Sequence, residues 1–371
     1  MASSEGVQAA VWDQADRFDM ASGFGHHRAA ERESAMDNPI LVEVTRGQAV
    51  ESRHRGALVV VDADGGIVLV AGDVTRPVFP RSAVKALQAL PLVESGLADR
   101  FGLSDAEIAL CCSSHSGEAH HVAASAAMLA KAGRDVSCLE CGSHWPMNDK
   151  VARALAVSGG EPSALHNNCS GKHAGFVCLA CGLDEDPAGY IKAAHRVQRE
   201  VRGALVDMTG AAHDEALAGI DGCSIPTYAI SLTAMALGFA RFGAGGGKGA
   251  TMGLERARAA ARIRAAVAAN PHMVAGTGRF DTVVMGALGE RAFTKTGAEA
   301  VFCAALPEMG YGIALKIDDG GTRASEAVMA SLLARYLALE GEAARIVGDI
   351  AHLRMRNWNG IEVGQVRVVG L

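Results

Sequence analysis

Phe79-Pro80-Arg81-Ser82-Ala83-Val84-Lys85-Ala86-Leu87-Gln88 is the stretch on which the reading of this chain turns. Pro80 stops the segment before it, and the residues after it predict a helix starting near Arg81. That helix is apolar almost all round (Ala83, Val84, Ala86, Leu87, Ala89, Leu90, Leu92, Val93), the pattern of a buried element. Ser82, Lys85 and Gln88 are its polar exceptions and form one stripe. Side chains three apart on a helix leave it roughly 5–6 Å from each other, so the Lys85 amine is within reach of the Ser82 hydroxyl. A buried lysine without a task is rare; the plainer alternative is a stripe that meets solvent.

Two further stretches complete a serine-lysine acyl-transfer pattern of S-x-x-K, second serine and K-T-G. Cys111-Cys112-Ser113-Ser114-His115-Ser116-Gly117 is a polar loop between two helical segments, and Lys295-Thr296-Gly297 directly precedes the C-terminal strands. Ser82 opens the only S-x-x-K in the chain and Lys295 the only K-T-G. A serine alcohol is a poor nucleophile until a base takes its proton. A lysine can be that base once its pKa falls from about 10.4 to about 7–8, at a cost of roughly 3–5 kcal/mol. Burial contributes to that shift, and a second ammonium such as Lys295 contributes more, so that the two amines titrate as one coupled system. A loop serine can relay a proton between them. Pattern leaves open which of Ser113, Ser114 and Ser116 does so, and Ser116 also suits the cap of the helix after it. An edge strand at Lys295 would offer N–H groups to an oxyanion, and Gly297 would admit substrate backbone; the alternative is an exposed lysine on a turn.

Strand patterns lie at both chain ends. Leu58–Val61 and Ile67–Val70 flank turn residues and read as a hairpin. Ala300–Leu306 and Tyr311–Ile317 form a second pair, and Ile361–Val369 a last strand. Between the ends the pattern is almost all helical, at 105–111 (with Ser104 and Glu107 as a capping box), 118–132, 147–158, 173–181, 187–208, 229–242, 251–269 and 280–289. Helices at about 323–340 and 342–353 precede the last strand. The expected class is α+β, with an antiparallel sheet from about 37–75 and 291–371 and an inserted helical part over about 80–290. Residues 1–36 read as a mobile N-terminal extension, or else as a short docking helix, ahead of one catalytic domain over 37–371. Gly243–Gly249 fails the P-loop pattern, since Phe242 stands where glycine is needed and Gly249 follows Lys248, and is expected to be a flexible loop.

The composition narrows the partners. A net charge of -6 argues against nucleic acid, which needs a basic face. No apolar run reaches the roughly 18–20 residues of a membrane span. No basic start followed by an apolar stretch opens the chain, so a cytoplasmic protein with its nine cysteines reduced is expected.

With their surroundings these motifs resemble the class 3 L-asparaginases, the asparaginase II family. The matching stretches are Phe79–Gln88, Cys112–Glu118, His166-Asn167-Asn168-Cys169-Ser170-Gly171-Lys172-His173, Ile220-Asp221-Gly222-Cys223 and Lys295–Gly297. The resemblance implies a serine β-lactamase-like fold, a homodimer and hydrolysis of L-asparagine to L-aspartate and ammonia. It implies Ser82 as nucleophile with Lys85 as its base, and Ser114 with Lys295 as a second pair. Arg81 and Asp221 would order substrate and water. Zinc would be held by Cys169, Lys172 and Cys223. Spacing alone points instead to Cys138, Cys141, Cys178 and Cys181, for which plain core thiols are the simpler reading. His120 and His121 read as an exposed helix face, and Asn270-Pro271-His272 as a turn. Asp281 suits a helix dipole, and Arg279 is a candidate for holding a carboxylate. The rival readings are a glutaminase or a β-lactam or peptide acyl-transferase on the same scaffold, and a non-catalytic ligand or zinc sensor.

Overall fold

Leu58-Val59-Val60-Val61 is apolar at every position because both faces of its strand are covered. Ala57, Val59 and Val61 join one core, and Leu58 and Val60 the other. The computed structural model describes residues 38–245 and 252–371. The extension expected over 1–36 and most of the glycine-rich loop lie outside the described residues.

Among the described residues ten strands are formed: β1 (Ile40–Arg46), β2 (Ala49–Asp62), β3 (Ile67–Ala71), β4 (Ala218–Ile220), β5 (Pro226–Tyr228), β6 (Phe293–Thr296), β7 (Val301–Leu306), β8 (Tyr311–Ile317), β9 (Arg354–Arg356) and β10 (Glu362–Val368). Eight of them make one sheet in the order β6-β7-β8-β2-β1-β10-β9, with β3 also paired to β2. Every pairing in it is antiparallel. The sheet is thus built from both chain ends, and the intervening chain is mostly helical. The fold is the expected α+β arrangement, an antiparallel sheet from both chain ends with a largely helical insert.

One face packs on helices Thr322–Tyr336 and Phe280–Leu288 through Leu58, Val60, Phe302, Ile313 and Leu315. The other meets helix Leu232–Ala244 and the serine segment. Gly312 of β8 allows that second contact, since a Cβ there would lie 1.9 Å from the Ala236 carbonyl oxygen. Phe293 stacks on Phe239 of the same helix and so joins β6 to the helical part.

The structure differs from the sequence-based expectation at three places. The helix expected over 187–208 begins only at Arg196, because 187–195 winds through successive turns and the His195 ring caps the Val197 N–H. The small hairpin β4–β5 lies inside the stretch read as helical. Its three-residue strands are too short to show an alternation. The segment after Pro80 is a 3₁₀ turn, Arg81–Val84, followed by short helices Lys85–Gln88 and Leu90–Glu94, rather than one helix.

Candidate active site

The serine turn is strained where it enters the site. Arg81 has φ 49°, a left-handed conformation that costs a side-chain-bearing residue of order 1 kcal/mol or more. Its guanidinium is held from outside, with Nε donating to Asp221 Oδ1 at 2.7 Å. Asp221 sits at the tip of the β4–β5 hairpin, which a two-way backbone pairing of Val78 with Ile230 brings alongside the serine turn. Burial opposes the Asp221 charge, but Lys172 and Arg81 hold its carboxyl below the usual carboxylate range.

The polar stripe of this segment faces inward, as Lys85 is fully buried and Gln88 buried. The Lys85 amine donates to the Ser113 carbonyl, to Ser114 Oγ at 2.9 Å and to Cys169 Sγ at 3.1 Å. Ser82, half-buried on the preceding turn, is not among its partners. The loop that carries Ser114 is pinned on both sides by Ser114 N–H to the Val274 carbonyl and His115 N–H to the Asn168 carbonyl. Of the three candidate relays, only Ser114 meets a lysine through its hydroxyl. Ser116 Oγ donates to the Ala275 carbonyl and Ser113 Oγ has no partner. Ser116 does not cap the next helix, whose N-cap is Glu118, with its N–H on His121 Nδ1.

Lys295 lies on β6, the edge strand beside the serine turn, and is fully buried. Its amine donates to Ser114 Oγ at 3.2 Å and to the Thr296 carbonyl at 2.7 Å. Ser114 Oγ therefore stands between two buried amines. Two ammonium groups would fill both its lone pairs and leave its own proton unplaced, so the arrangement favours one neutral amine. Burial, with Lys85 and Arg279 nearby, brings Lys295 down to about 7 against the opposing pull of Asp281. Gly297 serves the protein's own backbone: a Cβ there would lie 3.0 Å from the Pro80 carbonyl oxygen and 3.2 Å from Ala83 N. Glycine lets the end of β6 approach the serine turn.

Cys169 and Lys172, three residues apart across the start of helix Ser170–Gly182, are joined by Cys223 of the β4–β5 loop, 51 and 54 residues further along the chain. Lys172 Nζ lies 3.0 Å from Cys223 Sγ. Contact with Cys223 takes the Cys169 thiol well below its ordinary value despite burial, and raises Cys223 in turn. Burial pulls Lys172 down, but Cys223, Cys169 and Asp221 outweigh it and raise this lysine. Two sulfurs and an amine are a donor set that zinc takes, provided the lysine gives up its proton on binding. The buried His173 Nε2 beside them has no hydrogen-bond partner, while its Nδ1 meets the Tyr190 hydroxyl at 2.6 Å. Zinc fits this cluster. The four-cysteine alternative is not assembled: Cys141 donates to the Ala164 carbonyl and Cys178 to the Met128 carbonyl, and burial pushes each thiol up to about 12.

Sequence reasoning misplaced His121, which is fully buried rather than exposed. Its Nε2 donates to the His272 carbonyl and its Nδ1 accepts the Glu118 N–H. Glu118, His120 and His121 come within metal-binding distance of one another, but Glu118 is spent on Thr277 and Asn148 and both His121 nitrogens are in use. Asp281 was also underread. It is buried and bonded to the strand that carries Lys295, and nothing in its local sequence signals a partner 13 to 15 residues away.

Beside the serine turn an open cleft of about 340 Å³ is lined by Arg76, Phe79, Arg81, Glu299 and Lys316, with room for a small amide. Two of its lining residues, Arg81 and Glu299, are left-handed, as is Ala300 next to Glu299.

Comparison with protein families matches residues 42–368 to L-asparaginase II. Among solved structures the chain is similar to Mglu in its native form, at 15% identity and a TM-score of 0.35, covering 78% of this chain and 66% of that one, just under two thirds of its length. It is also similar to a β-lactamase candidate from Bacteroides dorei, at 14% identity and a TM-score of 0.34, covering 71% of this chain and 84% of that one. No curated protein sequence matches it. Both structural likenesses are slight, and the assignment rests on the family match: the chain belongs to the L-asparaginase II family, hydrolases that act on amides.

Proposed function

We propose that the protein is an L-asparaginase that works through a Ser82 acyl-enzyme. The observation that carries this reading is Ser114 Oγ, placed 2.9 Å from Lys85 Nζ and 3.2 Å from Lys295 Nζ beside the serine turn. Ser82 Oγ attacks the side-chain amide carbon of asparagine, and its proton passes to the neutral amine of the lysine pair, with Lys85 as the base nearest in sequence. As the C–N bond breaks, the pair returns a proton through Ser114 to the nitrogen, which leaves as ammonia. Water then attacks the aspartyl ester, its proton passes to the same pair, and Ser82 recovers its own as L-aspartate departs.

Arg76, Arg81 and Lys316 would give the cleft a positive lining for the substrate carboxylate, and Glu299 an acceptor for its ammonium group. Cys169, Lys172 and Cys223 would hold zinc, which supplies a Lewis acid for a substrate or water oxygen when bound. Asp221 and Arg81 tie that cluster to the serine turn.

Ammonia release from asparagine and from glutamine, measured beside the absorbance change of a chromogenic β-lactam, tests the reading. The highest kcat/KM on asparagine is expected. A pocket resolves one methylene by only about 1–3 kcal/mol, so some turnover of glutamine is compatible with it. Faster lactam opening, or asparagine binding without ammonia, would overturn it.

A further inference from the structure

Asp281 is a buried carboxylate for which the acyl-transfer scheme has no role. It lies in the first turn of helix Phe280–Leu288, where the helix dipole favours its charge. Its Oδ1 accepts Thr294 Oγ1 at 3.0 Å, and its Oδ2 accepts Thr296 Oγ1 at 2.7 Å and Thr296 N–H at 3.1 Å. These two threonines flank Lys295, whose amine lies 3.9 Å from the same Oδ2. Among the described residues β6, at the edge of the sheet, has a ladder partner only in β7, and this carboxylate adds a second attachment. The residue two before it, Arg279, donates Nη1 to the Ser114 carbonyl at 3.2 Å. One helix start thus grips both members of the second serine-lysine pair.

We propose that Asp281 is a positioning residue for that pair, clamping β6 so that Lys295 meets Ser114 and setting the charge against which Lys295 holds its proton. The proposal rests on the reading of Ser114 and Lys295 as proton carriers. The groups facing Lys295 are Asp281 and Arg279 from this helix start, Lys85 from the serine segment, Cys169 from the start of helix Ser170–Gly182, Cys112 from the Ser114 loop and Cys303 from β7. Glu326, on helix Thr322–Tyr336, faces Asp281 and Arg279 from behind. Asp281 is the carboxylate among those that act on Lys295, and it opposes burial and the neighbouring cations.

Asp281→Asn keeps the size and one acceptor but removes the charge. Its kcat/KM profile should show the acidic limb moved to lower pH by about one unit or more. NMR titration of ε-13C-labelled lysine, with Lys295 assigned through Lys295→Arg, should show the same downward move without reference to activity. The Thr294→Val, Thr296→Val pair keeps the charge and loosens the clamp. It should lower kcat about tenfold with KM near wild type and leave the midpoint in place. A Lys295 midpoint unmoved in folded Asp281→Asn overturns the proposal, as does wild-type kcat in the threonine pair, which also decides should Asp281→Asn not fold. Absence of amide hydrolysis by the wild-type chain would refute the proposed function, while the NMR titration would still judge Asp281.

Discussion

The amine of Lys85 lies 3.1 Å from the sulfur of Cys169, so the lysine assigned to the reacting serines shares a contact with the cluster assigned to zinc. The two sites are one continuous chain of donors and acceptors, running Lys295–Ser114–Lys85–Cys169. Lys172 and Cys223 lie at its far end.

Metal removal should therefore be felt at the serines. Purified protein is expected to carry one zinc per chain by elemental analysis, and a strong chelator should lower kcat/KM at least about tenfold, with recovery on adding zinc. Cys169→Ala and Cys223→Ala should each lose the metal. Activity indifferent to chelation in metal-free protein would show that the cluster has another role.

Ser82→Ala should abolish acyl-enzyme formation and lower kcat by about a thousandfold or more, with melting unchanged because Ser82 is half-buried on a turn. Ser114→Ala should cost about a hundredfold or more by separating the lysines. Intact-mass spectrometry of quenched reactions reads both. An aspartyl adduct in Ser82→Ala would reassign the nucleophile.

Asparagine hydrolysis should rise with pH through a midpoint near 7, because Lys295 is brought down to about 7 and the pair needs one amine neutral. Lys295→Met should remove this limb along with most of the activity. A pH-independent wild-type rate between 5 and 9 would contradict the scheme.

The same lysine carries a stability consequence. Its folded pKa is below its unfolded one, so the unfolded chain binds more protons between about 7 and about 10. Stability from this group is thus lowest below pH 7 and recovers as pH rises through that window. Lys295→Met should raise the melting temperature at pH 6 and lose that advantage by pH 10. Equal gains at both pH values would place the effect elsewhere.

Gly312→Ala should cost about 3 kcal/mol or more, since its Cβ would meet backbone atoms of Ala236 and Ala240 at 1.9 and 2.3 Å. Backbone on both sides cannot turn away as a side chain can. The expected readout is a lower denaturant midpoint with an unchanged slope. A wild-type midpoint would mean that β8 and helix Leu232–Ala244 can separate freely.

What was legible in the sequence was short in range. The Ser104–Glu107 capping box is present with both arms made, because its partners are three residues apart. The strand pairs at the chain ends stand out because their apolar residues fill two cores at once. Lys85 was legible as a buried lysine because the rest of its segment is apolar. The burial of His121 was not, since its cover, the His272 carbonyl, comes from 151 residues away.

By itself the sequence determined the α+β class, the sheet from both ends, and Ser82, Lys85, Ser114 and Lys295 as candidates, because periodicity and residue chemistry are local properties. Only the tertiary structure decided that Ser114, and not Ser113 or Ser116, stands between the amines. It also decided that Lys85 touches Cys169 and that Asp281 grips β6. Those facts depend on distances across 13 to 181 residues of chain, and such distances are set by how the helices pack on the sheet.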